Sequence, residues 1–293
     1  MKKIPTFDVI VCGSLHLDIV VHAKKVPRLD ETAVGQSWRQ LCGGKGGNQA
    51  VQAALHSAKT ALISRIGRDE FGKKILANLA AQGVDSRMVG VDQNQGTGMS
   101  VAIVQDDGEY AAVIVSGSNL EIAPDSLQQS FEELGGARVL VLQNEVPHEV
   151  NLAAARLAHL QGMTIVFNAA PARPLLEELS DLVDILVVNR VEAEMISGLH
   201  VIDRASAIKC LPALNAQKRS VIITLGGDGL VVQDRAGEVT EIAALPVNVT
   251  STHGAGDCFI GVLASALAKG QILVSASHLA NEKAAAFVSR KLE

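Results

Sequence analysis

The chain alternates short, almost wholly apolar runs with longer stretches in which apolar residues recur at helical spacing. Phe7–Cys12, Ala61–Ile66, Arg138–Leu142, Met163–Phe167, Ile185–Val188 and Val221–Leu225 are of the first kind. Nearly every residue in them is apolar rather than every second one, which predicts strands buried on both faces. Asn48–Ser57, Glu70–Gln82, Asp125–Leu134, His148–Gln161 and Ala205–Ala216 are of the second kind and predict helices. Strand–helix alternation of this sort predicts an α/β fold with a mostly parallel sheet covered by helices on both faces. Ligands in such sheets sit beyond the carboxyl ends of the strands, so the chemistry is sought there.

Two segments break the rhythm. Ser100–Val115 reads as a hairpin: Val101-Ala102-Ile103-Val104, a turn at Asp106-Asp107-Gly108, then Ala112-Val113-Ile114-Val115. Asp18–Gln40 is also strand-like, with Ile19-Val20-Val21 and Ala33-Val34 separated by Pro27. These pieces predict a small β appendage, with lid segments at about 18–40 and 98–117, able to close over a ligand and exclude water. No repeat, low-complexity tract or Pro/Gly/Ser linker interrupts the chain, so one unit spanning 1–293 is expected.

Composition narrows the classes. The 293 residues are 48% hydrophobic, enough for a large core, and with only 3% aromatics that core is aliphatic. The net charge is −5 and no Lys/Arg block exceeds a pair, which argues against a nucleic-acid binder. The apolar run after the opening Met1-Lys2-Lys3-Ile4-Pro5 is too short for a secretory signal, and no stretch approaches the ~20 apolar residues of a membrane span. Cys12, Cys42, Cys210 and Cys258 have no C-x-x-C spacing, so neither zinc nor a disulfide frame is expected. Reduced thiols place the chain in the cytoplasm.

Five polar clusters fall near predicted strand ends. Thr252-His253-Gly254-Ala255-Gly256-Asp257 leads into an apolar helix, and small residues at a helix start leave backbone N–H groups for an anion. A carboxylate beside such a pocket suits the base of a phosphoryl transfer; taken alone, a glycine turn with Asp257 favouring the helix dipole explains it as well. Gly43-Gly44-Lys45-Gly46-Gly47-Asn48 offers close backbone approach and two donors ahead of a helix, although a flexible turn accounts for it in isolation. Lys45 precedes Gly46 rather than Ser or Thr, so this is no Walker loop, and neither glycine run is a dinucleotide fingerprint. His16 and Asp18 follow the first strand; a lone histidine is more often structural. Gln143-Asn144-Glu145 and Asn189–Glu194 follow two others. Their oxygens suit a hydrated Mg²⁺, while Asn189 with Glu192 equally spells a helix cap.

Together these residues resemble the ribokinase-like (PfkB) carbohydrate and nucleoside kinases, over about Val9 to Arg290. The family's G-G-K-G-A-N-Q-A appears as Gly43 to Ala50 with Gly47 for Ala, and its D-T-T-G-A-G-D-x-F as Ser251 to Phe259. Asn168–Arg173 and Ile223-Thr224-Leu225-Gly226 match as well. The resemblance implies a three-layer α/β/α sandwich with a β lid, which in such kinases often pairs two subunits. It implies ATP-dependent phosphorylation of a primary hydroxyl of a small sugar, ribose or a related pentose first, with a nucleoside or another sugar as alternative acceptor. A non-catalytic ligand sensor on the same scaffold is the rival from another class.

Carried over by position, Asp257 is the base, and Gly254, Ala255 and Gly256 are the anion hole. Asp18, Gly44, Lys45, Asn48 and Glu145, with His16 beside them, match sugar-binding positions. Asn189, Thr224, Gly226 and Asn281 match nucleotide-binding positions, and Asn189 with Glu192 forms the element that organises hydrated Mg²⁺. Three departures qualify the match. Ser251 replaces an Asp of the monovalent-cation site and His253 a Thr, so the resemblance does not carry that cation over. His16 stands where the sugar loop has Asn, so ribose itself is not fixed. Relatives continue past the position of Glu293 through a glycine-containing segment that completes the cation site.

Overall fold

The computed structural model of the chain describes residues 5–106, 110–215 and 219–289. Its strands are β1 (Val9–Cys12), β2 (His16–Ala23), β3 (Gly35–Gly43), β4 (Thr60–Gly67), β5 (Asp85–Asp92), β6 (Met99–Val104) and β7 (Tyr110–Val115), then β8 (Val139–Gln143), β9 (Thr164–Asn168), β10 (Ile185–Asn189), β11 (Ser220–Thr224), β12 (Leu230–Gln233) and β13 (Val239–Ile242). The helices are α1 (Lys45–Leu55), α2 (Glu70–Ala81), α3 (Leu127–Leu134), α4 (His148–Gln161), α5 (Glu177–Ser180), α6 (Arg190–Ser197), α7 (Arg204–Leu214), α8 (Ala255–Ala268) and α9 (Leu273–Val288).

Nine strands form one sheet in the order β13-β12-β11-β10-β9-β8-β1-β4-β5. The pairs from β11 through β5 are parallel, and the β11–β12–β13 edge is antiparallel. All six apolar runs read from the sequence lie in the parallel part. Their side chains alternate between two cores: Ile10, Cys12, Leu140 and Leu142 pack with α3, α4, α6 and α7, while Val9, Val11, Val139 and Val141 pack with α1, α2, α8 and α9. Cover on both faces is why those runs are continuously apolar. Strands β5, β12 and β13 carried no such signal. β5 is a half-exposed edge with polar Asp85, Ser86 and Arg87, and the other two are only four residues long.

The lid is one mixed sheet in the order β3-β2-β6-β7, antiparallel at β2–β3 and β6–β7 and parallel at β2–β6. The expected hairpin is therefore present as β6 and β7. Of its turn, Asp107 and Gly108 lie outside the described residues, as does the helix end expected at Ala216.

The glycine-rich segment differs from the sequence expectation. Gly43 ends β3 and the helix starts at Lys45, so Gly46 and Gly47 occupy its first turn rather than a loop. The reason is steric. A Cβ on Gly46 would lie 2.6 Å from the Gly13 carbonyl carbon and the Ser14 nitrogen, so only glycine lets α1 begin against the exit of β1.

Helices α1 and α8 pack equally closely at Gly261, where a Cβ would lie 2.5 Å from Gln52 Cβ and 2.7 Å from Gln49 O. Gly261→Ala must part the two helices, and a loss of about 1–3 kcal/mol is expected from this overpacking. Thermal unfolding measures it; an unchanged midpoint would contradict the packing.

Candidate active site

The strand order turns between β8 and β1. From β1 the chain continues to β4 on one side, and β8 returns on the other, which opens a crevice at their carboxyl ends. Ser14 follows β1 and Glu145 follows β8. Ser14 Oγ donates to Glu145 Oε2 at 2.5 Å, and the Lys45 amide donates to the same oxygen at 2.8 Å. Gly46 N donates to Ser14 Oγ at 3.3 Å and Gly47 N to Ser14 O at 2.9 Å. Three distant segments are thus tied at one point. Not every predicted cluster lies at a main-sheet strand end: Asp18 is inside lid strand β2, and Lys45 follows lid strand β3.

Asp257 is the third residue of α8. Gly254 caps that helix in the left-handed region (φ 78°), a conformation that favours glycine. The carboxylate is 9% exposed. Its Oδ2 accepts from Asn48 Nδ2 and its Oδ1 from Gln49 Nε2, both at 3.0 Å. Burial pushes its carboxyl above the ordinary range; Lys45 and the two amides pull it down, and Glu145 adds to the rise. Of the expected anion hole, the Ala255 amide donates to Thr252 O at 3.2 Å. The amides of Gly256 and Asp257 have no acceptor among the described residues, as a helix start leaves them, and Gly256 faces open space.

On the lid side, Asp18 Oδ1 accepts from Ser100 Oγ at 2.5 Å. His16 is 4% exposed, and its Nε2 has no partner among the described residues. It lines a cavity of about 290 Å³ with Ile114, Ser116, Asn144, Glu145 and Arg173. Arg173 braces the far wall, donating to Asn144 Oδ1 at 2.8 Å and Val146 O at 2.9 Å. Gly44 caps α1 between these groups and Lys45.

Asn189 and Glu192 form the capping box that their spacing predicts. Asn189 N donates to Glu192 Oε2 at 2.8 Å, and Glu192 N to Asn189 Oδ1 at 2.9 Å. Glu192 is buried, which raises its carboxyl; its bonds to Asn189 and the charge of Lys45 lower it, and Asp257 raises it. Lys45 therefore acts on both buried carboxylates. Thr224 is the register partner of Asn189 on the adjacent strand, and Gly226 begins the turn just beyond. Asn281 is on α9, where its Nδ2 donates to Ala243 O at 2.9 Å. It lines a second cavity, of about 460 Å³, with Ile242, Ala244, Leu245 and His278. Ser251 N donates to Val288 O at 3.4 Å, tying its loop to the end of α9.

Sequence reasoning missed Ser14, Gln49 and Arg173. Gln49 sits inside the quoted glycine motif, one residue after Asn48, so the motif itself was the available signal. Among the described residues no group of three or more His, Cys, Asp or Glu is placed to hold a metal ion. None of their helices is long and apolar enough to cross a membrane.

Open amides at a helix start, with a proton acceptor on the same turn, are the equipment of phosphoryl transfer. Set at the switch point of a doubly covered parallel sheet with a β lid, they define an α/β kinase. Residues 6–292 match the pfkB family of carbohydrate kinases, and the chain belongs to that family. It is 34% identical to the ribokinase of Haemophilus influenzae over 282 residues, 96% of this chain and 92% of that protein. It is 33% identical to the ribokinase of Lactococcus lactis, over 94% and 91% of the two chains. The solved structure of Arabidopsis thaliana ribokinase complexed with ribose and ATP superposes with a TM-score of 0.89 at 27% identity, over 97% of this chain and 93% of that one. The chain is an ATP-dependent sugar kinase.

Gln49→Leu removes one of the two donors that hold Asp257 ionised. The Asp257 carboxyl should then titrate at higher pH than in the unaltered protein, which carboxyl-carbon NMR reads directly. An unmoved midpoint would mean that this bond has no hold on the charge.

Proposed function

We propose that the chain phosphorylates the primary hydroxyl of ribose or a related pentose, giving ribose 5-phosphate from ribose, with Asp257 as general base. The observation that carries this reading is the buried Asp257 carboxylate, gripped by Asn48 and Gln49 beside unpaired amides of α8. Ribose as acceptor is supported by the relatives called ribokinase and by the ribose bound in the Arabidopsis structure.

In this reading Asp18, Gly44, Lys45, Asn48 and Glu145 hold the sugar hydroxyls, with His16 at the far end. Asn189, Thr224, Gly226 and Asn281 hold the nucleotide, and the 460 Å³ cavity beside Asn281 is the room for its base. ATP, when bound, supplies the phosphoryl group. Asp257 takes the proton of the attacking hydroxyl, and the amides of Gly254–Gly256 face the negative charge that develops. Ala255 serves there only if its amide leaves Thr252. Asn189 and Glu192 fit a Mg²⁺ that keeps its water shell, since the buried Glu192 carboxylate is already bonded to Asn189 and is better placed to orient waters than to ligate directly. Further parts of the proposal are one kinase unit over 1–293, a cytoplasmic location consistent with four cysteines that form no disulfide, and a homodimer through the lid. The exposed Val113, Ile114 and Val115 of edge strand β7 support that pairing.

A second reading, a nucleoside or another sugar as acceptor, is favoured by the cavity beyond Glu145 and by the unpartnered His16. Release of ADP with ribose, deoxyribose, fructose and nucleosides, with and without potassium, separates the two. Ligand binding without any ADP release would instead mean a sensor.

Asp257→Asn should lower kcat by roughly 10²–10⁴-fold with little change in KM, the usual weight of a general base. Near-normal turnover removes Asp257 from the chemistry. The base works only when ionised and its carboxyl is raised, so kcat should fall as pH drops through a midpoint above the ~3.9 of an ordinary Asp. A pH–rate profile flat down to pH 4 would contradict that.

A further inference from the structure

Asn119 is fully buried in a short 3-10 turn, Gly117–Glu121, just past lid strand β7. Its Oδ1 accepts the Leu15 N–H at 2.8 Å, and its Nδ2 donates to the Leu15 carbonyl at 2.9 Å. The same Nδ2 donates to Ser116 O at 2.9 Å. One side-chain amide thus gives Leu15 the pair of bonds a neighbouring strand would give. It also joins the point where the chain leaves the lid to the point where it enters. A third crossing closes around them: Leu17 N donates to Gly98 O at 2.9 Å. A Cβ on Gly98 would lie 2.2 Å from Asn119 Nδ2 and 2.5 Å from His16 Cδ2.

Leu15 stands between two residues of the acceptor side. Ser14 before it is bonded to Glu145, and His16 after it lines the cavity. His16 and Asp18 are two apart on β2 and so share one face of that strand. A tilt of the Leu15 peptide would swing both together and loosen Ser14 from Glu145. We propose that Asn119 is a positioning residue for the acceptor sugar: by fixing the Leu15 peptide it orients His16, Asp18 and the Ser14–Glu145 pair. This rests on the reading that the sugar lies among those residues. The residues read as the nucleotide end, Asn189, Thr224 and Asn281, bond to Glu192, Val188 and Ala243, and among the described residues the Asn119 side chain bonds only to Leu15 and Ser116, so the nucleotide end should not respond.

Steady-state kinetics of Asn119→Asp and Asn119→Leu, varying sugar and ATP separately, test the proposal. The Asp variant keeps the shape and the acceptor for Leu15 N–H but loses both donated bonds. Acceptor KM is expected to rise about tenfold in the Asp variant and further in the Leu variant, while KM for ATP stays within about twofold. A lower thermal midpoint with both KM values unchanged would reduce Asn119 to a structural residue, and an equal rise in both would also overturn the proposal. Should both variants fail to fold, hydrogen exchange of the Leu15 amide in the unaltered protein decides: sugar should slow it, and no change overturns the proposal. An unaltered protein that releases no ADP with any sugar would sink the functional reading and this inference with it.

Discussion

A carboxylate taken out of water needs partners, and much of the site follows from how Asp257 gets them. Its two oxygens are met by Asn48 and Gln49, consecutive residues on α1, so α1 and α8 must lie almost in contact. Each bond to a charged group contributes about 1.5–3 kcal/mol, and an unpaired buried carboxylate would simply protonate. The close approach in turn demands Gly261 on α8 and Gly46 at the start of α1, since either Cβ would collide with backbone of the facing segment. Gly46, which looks like flexible loop in the sequence, and Gly261 within α8 are here the condition for two helices and a strand exit to meet.

The second constraint is charge. Asp257 lies within electrostatic reach of both Glu192 and Glu145, and burial pushes Asp257 and Glu192 up. Lys45 lies within electrostatic reach of both raised carboxylates, while its backbone amide binds the third. One residue therefore links the Asn189–Glu192 capping box to Glu145 and Asp257. The raised Asp257 carboxyl is consistent with the base role proposed for it.

Legibility in the sequence followed burial. The strands covered on both faces could be read because nothing polar is tolerated in them, whereas β5 and β13 are sheet edges where water relaxes that demand, and β12, though buried, is only four residues long. The Asn189–Glu192 cap could be read because capping is local, needing only a three-residue spacing. Ser14 and Arg173 could not, because their partners are far along the chain, 131 residues away for Ser14 and 27 to 29 for Arg173 across α4 and β9. Gln49 was invisible for another reason: on a helix the residue after Asn48 points some 100° away, and only the placement of α8 brings both amides to one carboxylate.

The sequence by itself determined the layered α/β architecture, the β6–β7 hairpin and the chemical identity of the site's groups, because periodicity and residue type report local burial and donor inventory; it misplaced β3, which runs over Gly35–Gly43 and leaves Ala33-Val34 outside it. Tertiary structure alone decided that the glycine run would be helix rather than loop. It also decided that the Ala255 amide would turn to Thr252, and that one asparagine beyond the lid would hold the peptide between Ser14 and His16. Those outcomes depend on which atoms of distant segments come within three or four ångströms, and no spacing along a chain encodes that distance.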